Sequence, residues 1–206
     1  CYPEEIYDEL IQTMKEEPKV CNYLDLPIQH ASDRILKRMG RRTSQADLRA
    51  IIGKLRQEIP DICLRTTLIS GFPGETEEDH EELMNFVDEM EFDRLGVFTY
   101  SAEEDTPAAT MPDQIPEELK EERRDEIMEL QQEISFDKGN DRIGQEVLVM
   151  IEGKVSGEST KEAKSGGRAN RSGYSGWKLH CDPQAAAERP PCRIIRASQY
   201  RRIPEP

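Results

Sequence analysis

The sequence predicts an α/β fold in which helices cover a parallel sheet, and three observations support this prediction. Three apolar segments, residues 23–28, 62–69 and 94–100, have the composition of strands and recur roughly 35 residues apart. Each segment ends in polar residues or glycine. Segments with helical periodicity separate them, and helical crossovers of this length join parallel strands, so we expect the three strands to end at one edge of the sheet.

Composition indicates an acidic chain without membrane spans. Its formal net charge is −14, 34% of its residues are charged, and no apolar run approaches the length that a membrane span needs. The five cysteines are scattered and form no close-spaced metal pattern, which favours a reducing cytoplasm and predicts no metal ligands. We also expect no membrane association and no export, because no basic and then apolar leader opens the chain.

Charge and patterning divide the chain into three predicted parts. Residues 1–137 carry the βα pattern and a charged helix, residues 138–156 begin a small β domain, and residues 157–206 lose periodicity, with a further strand candidate only at residues 193–195. The segment from Lys154 to Pro206 has 11 basic and 5 acidic residues, a net charge of +6, which leaves −20 for the rest. We expect a disordered or aberrant basic tail, although its interleaved aromatic residues could contact RNA.

The first helix and the first strand follow from hydrophobic spacing. Residues 3–17 have the apolar spacing of an amphipathic helix, which Pro18 ends. Residues 23–28 then form a strand, which places Gln29 and His30 at its carboxyl end, the usual edge for a binding site. His30 could equally be a hydrogen-bonded structural histidine.

Two helices are predicted between the first and second strands. Ser32 can cap a short helix, and a second helix starts near Thr43 or Ser44. Apolar residues at helical spacing continue that second helix until Pro60 ends it. Arg41 and Arg42 lie between these helices. Adjacent arginines of this kind usually belong to a solvated surface.

The second strand passes directly into a turn with the composition of a ligand-facing loop. Residues 62–69 are apolar and β-branched, residues 71–74 are Gly-Phe-Pro-Gly, and Thr76 can cap the acidic helix that follows. Glycine tolerates positive φ and lets a ligand approach the backbone, which predicts a βα loop at the carboxyl edge of the sheet. The turn could instead only link strand to helix. It lacks a P-loop lysine and a GxGxxG pattern, so we expect no phosphate cradle.

The remaining elements are a third strand, a long helix and the start of another sheet. Residues 94–100 form the third strand, and polar residues follow it. A highly charged helix with a narrow apolar stripe is expected from Pro116 until Gly139 ends it. Residues 145–153 then have the pattern of the first strand of a small β domain.

Four stretches of the sequence carry a family resemblance. They are YLDLPIQHASDRILKRMGRRT, LRTTLISGFPGETEEDHEEL, FDRLGVFTYSAEEDTPA and the charged helix that follows. Together they resemble the radical S-adenosylmethionine methylthiotransferases over residues 1 to about 155, most closely the RimO-type branch, which modifies an aspartate of a small-subunit ribosomal protein. Arg65, His30 and LGVFTYS favour this branch. The tRNA-modifying branch shares GFPGET but usually has Asp at the position of Thr67 and a Ser-Gly pair near His30.

The resemblance implies the back half of a radical-SAM partial (βα) barrel, followed by the start of a small OB-like (TRAM) β domain. It also implies a cytoplasmic enzyme that uses S-adenosylmethionine and 4Fe-4S clusters on a ribosomal-protein substrate. We expect a C-terminal fragment, inactive alone, whose cluster ligands are not in this chain, and the resemblance names no catalytic residue. It implies cofactor binding by Gln29, His30, Arg65, Thr67, Ile69, Gly71, Phe72, Pro73, Gly74 and Glu75.

Two departures from the family pattern and two alternative functions accompany this interpretation. Asp105 stands where the family usually has Gly, which we expect to strain that turn. The β pattern is lost after Ser156, and we hypothesise a reading-frame slip there, which resequencing tests. The alternatives are the same chemistry on a tRNA adenosine and a non-catalytic module that docks a partner.

Overall fold

A computed structural model of the chain describes residues 1–143 with their side chains and the backbone of three further strands. These strands are Glu146–Lys154, Trp177–His180 and Arg193–Arg196. The chain divides into two compact units, one formed by Cys1–Pro18 with Asn22–Asn140 and the other by Lys19–Cys21 with Asp141–Pro206. The first unit contains the sheet that the sequence predicts.

Helices alternate with short strands in the first unit. Its elements are α1 (Asp8–Glu16), β1 (Tyr23–Asp25), α2 (Asp33–Arg38), α3 (Gln45–Glu58), β2 (Cys63–Ser70), α4 (Glu77–Met90), β3 (Arg94–Thr99) and α5 (Glu117–Asp141), with 3-10 turns at Pro3–Glu5 and Pro107–Thr110. β1 is shorter than the predicted strand because Pro27 has no N–H group for the ladder. Pairing resumes only at Gln29, which bridges Leu68.

The three strands form a parallel sheet in the order β1-β2-β3, as predicted. Their carboxyl ends are hydrogen-bonded side by side: the Ile69 N–H donates to the Gln29 carbonyl, and the Tyr100 N–H donates to the Ser70 carbonyl, both at 2.8 Å. Beyond these ends the rings of Phe72 and Tyr100 meet edge to face with 5.3 Å between centroids. The strand ends therefore converge on one region.

The two faces of the sheet differ in burial. The even-numbered residues of β2, from Leu64 to Ser70, are buried, whereas the alternate residues, from Cys63 to Ile69, are exposed or half-buried. Since successive strand side chains point to opposite faces, one face is covered and the other is open. Large buried side chains of α3 and α4 complete the core: Leu48, Ile52, Leu55, Leu83, Phe86 and Val87.

Two helices begin with the predicted caps. The side chains of Ser44 and Thr76 each accept from the backbone of the third helical residue, whose carboxylate bonds back to the cap residue. Ser32 has no such side-chain bond at the start of α2. Its hydroxyl instead donates to Asp79 at 2.6 Å, so it connects two helices.

The helix α5 continues through Gly139, so the prediction that Gly139 ends it is wrong. A glycine inside a helix costs only about 1 kcal/mol of stability relative to alanine. A long helix can therefore continue through one glycine near its end. The buried positions of α5 combine Ile127 and Ile134 with three charged or amide side chains: Lys120, Arg123 and Gln131. Among the helices that the structure describes, α5 included, none is both long and apolar enough to cross a membrane.

The second unit contains an antiparallel sheet in which β4 (Glu146–Lys154) lies between β5 (Trp177–His180) and β6 (Arg193–Arg196). The strands β4 and β6 match the predicted segments. The strand β5 was not predicted, because its four residues show no extended alternation. The OB-like identity, the aberrant tail, the frame slip and the RNA contact concern residues that lie largely outside those described, so they stay predictions.

Candidate functional site

An open cleft lies at the carboxyl edge of the β1-β2-β3 sheet. Its volume is about 390 Å³. The ends of β1 and β2, the end of α2 and the loop after β3 line it, through Gln29, Arg38, Met39, Arg41, Ile69, Phe72, Thr106, Pro107, Ala108 and Met111. The cleft is therefore largely apolar, with one amide and two guanidinium groups but no carboxylate among these ten residues.

Two residues near the cleft have strained backbones. Gln29 has φ 70° and Asp105 has φ 63°, in the left-handed region that non-glycine residues rarely adopt. The value at Asp105 confirms the expected strain in the turn after β3. Gln29 is held by its N–H, which donates to the Thr67 carbonyl at 3.0 Å, and by its carbonyl, which accepts from Ile69. Strain maintained by surrounding bonds in this way is common at binding sites.

The turn from Gly71 to Glu75 is closed by its own carboxylate. Oε2 of Glu75 accepts from the backbone N–H groups of Gly71 at 2.9 Å and Phe72 at 3.2 Å. Gly71 and Gly74 have φ of 72° and 82°, which glycine adopts without steric cost. The N–H groups at the start of this turn are therefore satisfied internally.

Arg123 and His30 complete the surroundings of Glu75. Nη1 of Arg123 lies 2.9 Å from Oε1 of Glu75, and the two side chains are only 4% and 0% exposed. The Ser32 N–H donates to Nδ1 of His30 at 2.9 Å, so the ring proton is on Nε2, which faces Glu75 at 3.5 Å. Burial alone would raise the pKa of Glu75, but His30, Arg123 and the Gly71 N–H hold that pKa below its ordinary value. Glu75 is thus a buried, ionised carboxylate.

A second network ties α2 to the start of α4. Asp79 accepts from Ser32 and pairs with Arg34, which also donates to the Gly74 carbonyl at 2.6 Å. Burial would raise the pKa of Asp79, but hydrogen bonds from Arg34, Ser32 and Thr76 hold that pKa well below its usual range. One carboxylate therefore caps α4 and also fixes α2 against the turn.

Lys120 of α5 joins the ends of β2 and β3. Its ammonium group donates to the Tyr100 carbonyl at 2.9 Å, and its own carbonyl accepts from the Ser70 hydroxyl at 2.9 Å. A Cβ atom at Gly71 would overlap Cγ of Lys120. The helix α5 therefore supports the turn directly from the covered side of the sheet.

Comparison with known proteins identifies the family. The Radical SAM superfamily model matches residues 2–87. Proteins named "Ribosomal protein uS12 methylthiotransferase RimO" from Lachnoclostridium phytofermentans and Geobacter sulfurreducens are 64% and 59% identical to this chain over 155 and 152 residues. The chain belongs to the RimO-type family of the radical SAM superfamily. This confirms the resemblance seen in the sequence.

The matches cover most of this RimO-type chain but a smaller share of its relatives. The first two alignments cover 75% and 74% of this chain and 35% and 34% of the relatives. A third relative of the same name, from Geotalea uraniireducens, is 53% identical over 169 residues, which are 79% of this chain and 38% of the relative. The chain thus spans about a third of the length of the curated relatives it matches.

The ten residues predicted to bind the cofactor fall into three groups in this RimO-type chain. Gln29, Ile69 and Phe72 line the cleft. Arg65 and Thr67 lie on the open face of the sheet, the same face of β2 as Ile69. The other five lie in or beneath the turn and are not part of the cleft lining: His30, Gly71, Pro73, Gly74 and Glu75. The buried hydrogen-bonded position of His30 matches the structural alternative, and cofactor contact by each of the ten stays a prediction.

Four basic residues near the site were missed from the sequence. Arg38 and Arg41 line the cleft, although adjacent arginines such as Arg41 and Arg42 favour a solvated surface. Lys120 and Arg123 lie on the buried face of α5. Their spacing with Ile127 at i, i+3 and i+7 was the available signal, but charged residues are rarely buried, so it indicates an exposed face.

The described residues fit S-adenosylmethionine better than an iron-sulfur cluster. The walls formed by Ile69 and Phe72 suit a flat apolar ring, and the nearby Gln29 amide suits hydroxyl groups. By contrast, residues 1–143 contain no group of three His, Cys, Asp or Glu side chains placed to hold a metal ion. An iron-sulfur cluster requires thiolate ligands. We therefore assign no cluster ligand within residues 1–143.

Proposed function

We propose that this chain provides the S-adenosylmethionine cleft of a methylthiotransferase that acts on ribosomal protein uS12. The printed names of relatives that are 53% to 64% identical support this reaction and substrate. The observation that carries the proposal is the meeting of Gln29, Ile69 and Phe72 in one cleft at the ends of neighbouring parallel strands. Parallel α/β folds bind their ligands at this edge.

The residues of the cleft and of the open face have separable roles. Ile69 and Phe72 contact the adenine ring, and Gln29 hydrogen-bonds the ribose. Arg65 presents its guanidinium group on the open face of the sheet, where it pairs with Asp25 at 3.3 Å, and it binds the carboxylate of the cofactor from there. Glu75 acts on the ligand only indirectly, by holding the turn. The bound cofactor supplies the radical chemistry, while this chain binds and orients it.

Titration of S-adenosylmethionine into the 206-residue chain by calorimetry tests the cofactor site. We expect saturable binding that Arg65→Ala weakens about tenfold, the effect of losing one charged hydrogen bond. Arg49→Ala is the matched control, since Arg49 pairs with Glu89 on the surface of α3. Absence of binding at millimolar ligand would contradict the proposal and favour the docking module.

A chimera tests the reaction and the substrate. In the Lachnoclostridium phytofermentans relative, the matched segment is replaced by the corresponding residues of this chain, and uS12 is analysed by mass spectrometry in cells lacking their own enzyme. We expect methylthiolated uS12, with the unaltered relative as the positive control. A methylthio group on tRNA and none on uS12 would instead support the tRNA-modifying alternative.

The cellular setting is part of the same proposal. A substrate that is a ribosomal protein favours a cytoplasmic enzyme, and the acidic first 153 residues favour a basic protein partner. Fractionation of cells carrying the tagged chain, followed by detection in ribosome-containing and membrane fractions, checks this location.

A further inference from the structure

Arg38 and Arg41 reach the cleft without an acidic partner. Neither takes part in the ion pairs found among residues 1–143. By contrast, Arg34 and Arg123 each bind a carboxylate. Arg42, Arg56 and Arg94 also form no ion pair among these residues, but they do not line the cleft, so it is their place in the cleft that distinguishes Arg38 and Arg41. The two guanidinium groups are thus free to bind an anion from another molecule.

Packing holds both guanidinium groups in place. Nε of Arg38 is buried without a hydrogen-bond partner, and its Cζ would lie 2.8 Å from a Cβ atom at Gly74, so the group rests on the turn. The guanidinium carbon of Arg41 lies 5.3 Å from the ring centre of Tyr2. Groups positioned before a ligand arrives lose less conformational entropy on binding it.

The surrounding charge selects the kind of anion. Residues 1–153 carry a net charge of −20, which repels the repeated phosphates of a nucleic acid and attracts a basic chain. A single carboxylate on such a chain could still bind, since guanidinium groups form short charge-assisted hydrogen bonds with it. The apolar residues Met39, Ala108 and Met111 beside the arginines would contact its aliphatic stem.

We propose that Arg38 and Arg41 form a subsite for the carboxylate of an acidic side chain on an otherwise basic peptide. The inference rests on the proposed function, because it makes this peptide the substrate presented to the cofactor cleft. It assigns substrate specificity to the end of α2 and the residues after it. The two arginines distinguish a carboxylate from the amide of the same shape.

Paired peptides test the subsite. Two fluorescent peptides of Lys, Arg and Gly, one with a central Asp and the other with Asn, are titrated with the full chain in saturating S-adenosylmethionine, and anisotropy gives both affinities. We expect about tenfold tighter binding of the Asp peptide. Arg38→Gln and Arg41→Gln each move the Asp to Asn affinity ratio towards one, and Arg38→Lys retains part of it because a charge remains.

The control variant is Arg42→Gln, which removes the same charge at an exposed position that does not line the cleft. It should leave the ratio unchanged. Comparing two peptides on one variant cancels any general loss of folded protein. The proposal is overturned by a ratio that Arg38→Gln leaves intact, by variants that weaken S-adenosylmethionine alone, or by arginine-dependent binding of an oligonucleotide.

Separate titration of the cofactor keeps the two proposals distinguishable. If the chain binds no S-adenosylmethionine, the proposed function fails. If it binds S-adenosylmethionine but the unaltered chain gives an affinity ratio of one, only the carboxylate subsite fails.

Discussion

Glu75 connects the residues of the candidate site to the rest of the first unit. Its carboxylate accepts from the backbone of Gly71 and Phe72 and pairs with Arg123. A buried carboxylate left without its cation keeps the cost of desolvation and loses the compensation. The contribution of this residue is therefore best measured by removing Arg123 and keeping Glu75.

Arg123→Gln should lower the free energy of unfolding by about 3–5 kcal/mol, the usual effect of breaking a buried ion pair from one side. Urea denaturation followed by circular dichroism measures it. The adjacent Arg124→Gln is the control, because Arg124 forms a more exposed pair with Asp125. That change should cost at most about 1 kcal/mol. Equal losses of unfolding free energy in the two variants would show that the buried pair contributes no more to stability than the exposed one.

Gly71→Ala should destabilise the chain by more than about 1 kcal/mol, because Gly71 has φ 72° and a new methyl group would overlap Lys120. Gly53→Ala in α3 is the opposite case. Nothing lies within 4 Å of a Cβ atom there, so alanine should stabilise the helix by about 0.5–1 kcal/mol. Thermal unfolding checks that the two variants change stability in opposite directions. A stabilising Gly71→Ala would contradict the described turn.

At the scale of elements, the first turn of α4 depends on one ionised side chain. Asp79 closes the capping box with Thr76 and binds Arg34 and Ser32. Its folded pKa lies below the unfolded value, so its stabilising effect is present above the unfolded pKa of about 3.9 and is lost as the pH falls.

Asp79→Asn should therefore destabilise the chain most at neutral pH. The difference from the unaltered chain should begin to shrink as the pH falls below about 4, because the carboxyl of the unfolded chain then takes up a proton that the folded chain binds only in stronger acid. Chemical denaturation at a series of pH values measures this. Asp88→Asn on the same helix is exposed and should show no comparable dependence. A difference in stability between Asp79→Asn and the unaltered chain that grows in acid would refute the assigned role of Asp79.

The helix α5 shows where sequence pattern stops being informative. Its existence follows from charged helix-forming residues after Pro116, but its covered face includes Lys120 and Arg123, which the pattern assigns to solvent. These side chains are buried because the Tyr100 carbonyl after β3 accepts from Lys120 and Glu75 offers a charge to Arg123. Such partners are distant in sequence, so no local rule identifies them.

At the scale of the whole molecule, the parallel sheet of the first unit was predictable and its supporting contacts were not. Alternating apolar segments and proline and glycine positions define the strands and the turn. The cleft residues Gln29 and Phe72 follow from their place at strand ends. Arg38 and Arg41 do not, because their exposure depends on the loop after β3, whose path no spacing rule gives.

Hydrogen exchange should rank the strands of this sheet. The strand β2 pairs on both sides, whereas β1 and β3 each pair with β2 alone among the described strands of that sheet. The amides of β2 should therefore exchange slowest, since they open only when the unit does. Peptide-resolved mass spectrometry measures this, and faster exchange in β2 than in β3 would contradict the strand order.

The self-closed turn after β2 gives the cleft a direction. Because the first N–H groups of that turn already bind Glu75, an anion arriving there would find neither of them vacant, whereas the guanidinium groups of Arg38 and Arg41 offer several donors. A molecule with one neutral aromatic end and one negative end would therefore bind with its negative end at the arginines. The charge distribution of the cleft thus favours one orientation of a bound ligand before any chemistry begins.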